Sequence, residues 1–132
     1  MSNKWRFKID LKDEEIFRRI EKVIGKEVPE EIKIFVKNYN AASPDLNCVM
    51  INGRERIVDS VLSFNCDETE AITFQSAFNA INNDSWIPFA ADPFGNYFCY
   101  SLETNVVGYF EHEEQKIDKT GYTLKEFVQK LY

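Results

Sequence analysis

The chain has 132 residues, 44% of them hydrophobic and 14% aromatic, with 11 Phe and 6 Tyr. That is one domain's length, with apolar matter enough for a core that needs neither metal nor disulfides. The net charge of -6 is uneven: residues 1–40 carry ten Lys/Arg and eight Asp/Glu, whereas residues 41–132 carry six and fourteen. A phosphate backbone is repelled by the acidic part, which argues against nucleic-acid binding, while a basic protein partner is steered toward it. The same acidity also serves solubility alone.

The first ten residues alternate charged and apolar side chains and lack the continuous apolar run of a secretory leader. No run approaches the ~18 apolar residues of a membrane span. Cys48, Cys66 and Cys99 are widely spaced and odd in number. They form neither a disulfide framework nor a zinc pattern, so buried reduced thiols and a cytoplasmic location are expected. Trp5, Phe7 and Ile9 alternate with charged residues, as either a short N-terminal strand or a free arm carrying an exposed Trp.

A first helix is predicted over residues 13–24. Ile16, Phe17, Ile20, Val23 and Ile24 form one buried stripe, with Asp13 as N-cap and Gly25 just past the end. A second opens at Pro29 with Glu30 and Glu31 in its first turn and Ile32, Phe35, Val36 and Tyr39 facing inward. Residues 40–47 read as loop, with Ser43-Pro44-Asp45 as a turn signal. Residues 48–51 and 57–64 read as strands on either side of Asn52-Gly53, a tight-turn dipeptide. Residues 67–81 are predicted helical, with Phe74, Phe78 and Ile81 on one face.

Residues 86–91 are an apolar run, and residues 97–102 are an aromatic-rich strand of period two. Between them Asp92-Pro93-Phe94-Gly95-Asn96 is a turn, with a bulge expected at Gly95. Asp92 is expected to bond backbone N–H groups two residues on. Glu103-Thr104-Asn105 turns the chain into a strand over residues 106–110. Thr123 and Glu126 fit a capping box that opens a final helix, with Tyr122 and Phe127 as its hydrophobic staple. Helices, then strands, then a closing helix give an α+β fold with a mainly antiparallel sheet.

The central motif has a family likeness. Ile87-Pro88-Phe89-Ala90, then Asp92, Gly95-Asn96 and Tyr97-Phe98-Cys99 resemble the signature of the SUKH superfamily, the fungal cell-wall-synthesis-regulator-like and bacterial toxin-immunity proteins. The Pro29-opened helix running through Phe35 to Tyr39-Asn40-Ala41-Ala42 and the terminal helix over residues 124–131 are similar to further features of that group. The chain departs at Pro93-Phe94, where many members have only small residues, and at Ala41-Ala42, where Gly is common. The resemblance covers residue 11 to the end, and residues 1–132 are read as a single domain.

Chemistry is sparse. His112 is the only histidine, set among Glu111, Glu113 and Glu114, and it lacks partner ligands at any usual metal spacing. A dyad of His112 with Cys99 or Cys48 has no local signature around either thiol. There is no phosphate-cradling Gly loop and no hydrolase or metalloprotease motif. The chain is therefore read as non-enzymatic, without cofactor or metal. Glu111, Glu113, Glu114 and Asp118 form an acidic run, either a contact surface for a basic partner or a solvated loop.

The resemblance implies an immunity protein that neutralises a cognate toxin, a nuclease-type effector, by stoichiometric occlusion. The alternative it implies is an intracellular regulatory scaffold. Asp92, Phe94, Asn96, Glu111, His112, Glu113 and Glu114 are the candidate partner contacts. The binding role of Asp92 rests on the resemblance alone. A monomer or a weak homodimer paired through an open sheet edge is expected.

Overall fold

The computed structural model describes residues 3–65 and 67–132. Trp5–Arg6 (β1) leads to helix α1, Glu15–Ile24, which buries Ile16, Phe17, Ile20 and Ile24. Asp13 Oδ1 accepts from the Glu15 N–H at 2.9 Å, and Gly25 closes the helix in the left-handed region. Val23 departs from expectation: at the edge of the apolar stripe it is 62% exposed. Helix α2, Glu30–Tyr39, follows Pro29 and turns Ile32, Phe35 and Val36 into the core.

The two readings of the N-terminus resolve to a strand. Trp5–Arg6 pairs antiparallel with Ser43–Pro44 (β2), and Trp5 packs on Phe35 and Tyr39 with ring centroids at 6.1 and 4.5 Å. Ser43-Pro44 is thus strand rather than turn. Ala41 has φ +62, conformation that glycine adopts most cheaply, at one of the positions where the sequence departs from the family pattern.

Cys48–Ile51 (β3) forms a hairpin with Arg54–Ile57 (β4), not with residues 57–64 as the sequence suggested. Asn52 and Gly53 both have positive φ, +50 and +81, the geometry of a two-residue hairpin turn. After Ile57 the chain crosses to a different sheet. Val58 still donates to Asn47 O, but Asp59 already donates to Ala91 O. Ser60–Val61 (β5) is then the first strand of a five-stranded meander with Trp86–Ala91 (β6), Tyr97–Ser101 (β7), Val107–Glu111 (β8) and Lys116–Lys119 (β9), every pair antiparallel.

Two expectations need correction in the middle of the chain. Helix α3 is only Phe74–Ile81, because Thr73 caps it and residues 72–74 are held in a bridge. Ser63 N–H donates to Ile72 O, and Phe74 N–H donates to Ser63 O, both at 2.8 Å. The bulge lies inside β6 rather than at Gly95: Pro88 pairs with Cys99 and Ala90 with Phe98, so Phe89 is the extra residue. Pro88 has no N–H to give the ladder, and the irregularity falls beside it.

The closing helix α4, Leu124–Gln129, has the full capping box, with Glu126 N–H donating to Thr123 Oγ1 and Thr123 N–H to Glu126 Oε1. The main core lies between α1, α2, α4, the start of α3, the β3–β4 hairpin and one face of the sheet, with Ile87, Phe89, Phe98, Tyr100 and Tyr109 pointing into it. The other sheet face holds a smaller cluster of Trp86, Cys99 and Phe110 with Ile81 of α3. The fold is α+β with antiparallel sheets. Among the described residues, no helix is long and apolar enough to cross a membrane.

Candidate functional site

The register of the meander brings two loops to the same end of the sheet: the β6–β7 turn, residues 92–96, and the β8–β9 turn, residues 112–115. Asp92 is the anchor of the first, with only 3% of its surface exposed. Its Oδ1 accepts from Phe94 N–H at 2.8 Å and Asn96 N–H at 2.9 Å, the expected side-chain turn. Its Oδ2 accepts from Asn96 Nδ2 at 3.0 Å and from the Tyr109 hydroxyl at 2.5 Å. A buried carboxylate filled by four donors is a stable arrangement, since none of its hydrogen-bonding capacity is stranded.

Asn96 carries the network to the second loop. Its Nδ2 also reaches Tyr109 OH at 2.9 Å, and its Oδ1 accepts from the His112 backbone N–H at 3.0 Å. His112 Nδ1 stands 2.7 Å from the same oxygen. An amide oxygen only accepts, so Nδ1 carries the proton in this arrangement. The imidazole lies over Gly95, whose added Cβ would stand 3.5 Å from the ring.

Arg56 of β4 covers the network from the side. Its guanidinium carbon is 4.5 Å from the Tyr109 ring centroid, and Nη2 bonds Glu111 Oε1 at 2.9 Å. Its Nε is enclosed without a hydrogen-bond partner among the described residues. Burial, reinforced by the bond to Asp92 and the charge on it, pushes the Tyr109 hydroxyl above the ordinary tyrosine range. Tyr100 behaves alike: burial, then the hydroxyl's bond to Glu31, raises it. These phenols are held protonated as donors and are unsuited to act as bases at neutral pH.

Above the network lies an open cleft of about 340 Å³. Phe94, Asn96, Glu111, His112, Glu113 and Glu114 line it, and Asp92 lies beneath. Phe94 at the tip is 68% exposed. The seven residues singled out from the sequence are therefore drawn together in space. The acidic run is not a continuous loop, because Lys116–Lys119 is the edge strand β9. Nor is it uniformly acidic: Lys116 Nζ lies 2.9 Å from Glu114 and 3.9 Å from Asp118, and Arg56 neutralises Glu111. The hydrogen bond and charge of Lys116 hold the Glu114 carboxyl below its usual range. Glu113 is in no ion pair among the described residues.

Sequence reasoning passed over Arg54, Arg56 and Tyr109. The signal was present: Arg54 and Arg56 are the only Lys or Arg between positions 38 and 115, and a two-residue turn at Asn52-Gly53 places them two apart on one strand face.

Cys99 is buried, its Sγ directed to Gly108 O at 3.5 Å, and burial pushes its thiol far above the reactive range. Cys48 is half-buried rather than buried and meets Asn47 Oδ1 at 3.6 Å. Cys66 lies outside the described residues. No cluster of three or more His, Cys, Asp or Glu suited to a metal ion occurs among the described residues.

The SUKH_6 family model, described as SMI1-KNR4 cell-wall, matches residues 13–128. No curated protein matches the chain.

Proposed function

The chain belongs to the SMI1-KNR4 cell-wall family of SUKH domains, and from that membership and the geometry of the cleft we propose that it is a non-catalytic binding protein of the toxin-immunity kind. In this reading it caps a cognate toxin, a basic nuclease-type effector, in the cytoplasm by one-to-one occlusion. The observation that carries the reading is Phe94. It is a large aromatic, 68% exposed, at the tip of a turn whose backbone is pinned from within by a buried carboxylate. A backbone held rigid before binding loses little entropy when the aromatic it carries docks, which is how a few side chains come to dominate an interface. Asn96, His112, Glu113 and Glu114 form the polar rim. The net acidity of residues 41–132 supplies long-range attraction, which acts on the association rate more than on affinity.

The cleft offers no nucleophile beside a base, and its tyrosine hydroxyl is committed to Asp92, which supports a binding role over a catalytic one. The test is co-expression. The C-terminal domain encoded by the adjacent upstream gene is produced in a test bacterium with and without this chain, and growth is followed. Killing that this chain reverses is the expected result. A harmless neighbour, or one that kills regardless, overturns the pairing and favours a scaffold with several weak partners.

A further inference from the structure

A second surface lies far along the chain from the cleft and has its own chemistry. A groove of about 540 Å³ runs between the N-terminal arm and the segment before α3. Phe7, Ile9, Ala41 and Ile72 give it an apolar lining, and Asp59 and Glu70 are its carboxylates. Phe7 is 80% exposed and Ile72 39%, so two large apolar side chains flank one groove in contact with water.

Phe7 is also strained. Its φ is +64, a region that bulky residues enter only when their surroundings compel it. Here the compulsion is visible on both sides. Trp5–Arg6 is paired with Ser43–Pro44, while Ile9 N–H donates to Asn40 O at 3.0 Å and Ile9 O accepts from Asn40 Nδ2 at 2.9 Å. Asn40 is fully buried and accepts in turn from Phe64 N–H at 2.7 Å. Clamped at either end, the arm turns Phe7 outward instead of letting it fold onto the core. Ala41, the groove's other left-handed residue, has φ +62. Neither Asp59 nor Glu70 is in an ion pair among the described residues.

We propose that this groove is a second docking surface, one that receives a protein segment presenting an apolar side chain flanked by Lys or Arg. The apolar side chain fills the space between Phe7 and Ile72, and the cations meet Asp59 and Glu70. Charge complementarity selects that occupant, because an acidic or purely apolar segment would leave two carboxylates desolvated without a counter-charge. The assignment does not depend on what occupies the cleft beside Phe94.

The experiment titrates the full chain with a fluorescent synthetic peptide of alternating Lys and Leu, and with its Glu-Leu counterpart, while backbone amide shifts are followed. The Lys-Leu peptide binds, with shifts concentrated at Phe7, Ala41, Asp59 and Ile72. Phe7→Ala, Ile72→Ser and the pair Asp59→Lys with Glu70→Lys each weaken it about ten-fold, the scale of one lost anchor. The pair Asp84→Lys with Glu103→Lys changes net charge equally and leaves binding within about two-fold, since those exposed acids are remote. Phe7→Gly loses the peptide yet raises the melting temperature, because it relieves the left-handed backbone; a side chain kept for packing would do the reverse. Absence of binding, equal binding of the Glu-Leu peptide, equal weakening by both charge reversals, or shifts centred on residues 92–96 overturns the proposal.

Discussion

The turn at Asn52-Gly53 and the turn at residues 92–96 both reverse an antiparallel pair, yet they are built on opposite plans. The first uses two residues with positive φ, and an added Cβ on Gly53 would meet nothing within 4 Å. Its one side-chain bond is Asn52 Nδ2 to Lys119 O at 3.3 Å. The second spends five residues, a buried carboxylate and hydrogen bonds to Tyr109 and His112. Closing a hairpin needs only the first plan. The second fixes the backbone at Phe94, which contributes nothing to the core, and that surplus of order is what the proposed docking role accounts for.

Asp92→Ala strikes hardest at the second plan. Four donors lose their acceptor at a buried site, and the expected loss is about 3 kcal/mol in chemical denaturation. Tyr109→Phe removes one donor of the same network and costs about 2 kcal/mol at neutral pH, as a bond to a charged group does. It also alters the alkaline limb. A tyrosine raised in the folded state gives stability that is fully present below its ordinary pKa and lost as pH climbs past it. The wild type therefore weakens above about pH 10, and the fall is shallower in Tyr109→Phe. Denaturant midpoints between pH 8 and 11 measure both slopes.

Smaller effects sharpen the contrast. Gly53→Ala and Gly95→Ala both strain a left-handed backbone and should each cost about 1 kcal/mol by thermal melting. Only the second brings a methyl to 3.5 Å from the His112 ring, so only it shifts the imidazole resonances. Phe94→Ala changes stability least, within about 0.5 kcal/mol, as truncation of an exposed side chain does.

Local chemistry made much of this legible in the sequence. The capping box at Thr123 and Glu126, the Asn52-Gly53 turn and the carboxylate turn at Asp92 each depend on residues within a few positions of one another, and each forms as read. What escaped depends on distant partners. Residues 57–64 look like one strand, but the chain leaves the β3–β4 hairpin at Val58 because Ala91 takes the Asp59 N–H. Residues 72–74 are held extended by pairing with Ser63, so α3 starts no earlier than Phe74. Strand β9 hides among charges, since an edge strand needs no apolar alternation and its lysines discourage further pairing. Arg56 reaches the cleft only because the hairpin folds over Tyr109, a contact between residues 53 positions apart.

In the proposed function, the order in the 92–96 turn presents Phe94 to a protein partner. The test is calorimetry: the C-terminal domain encoded by the adjacent upstream gene, once co-expression has shown it to kill and this chain to protect, is titrated into the wild type and into Phe94→Ala. One-to-one binding that weakens at least about ten-fold in the variant, with the melting temperature unchanged, is the expected result. Equal affinity for the two proteins would contradict it.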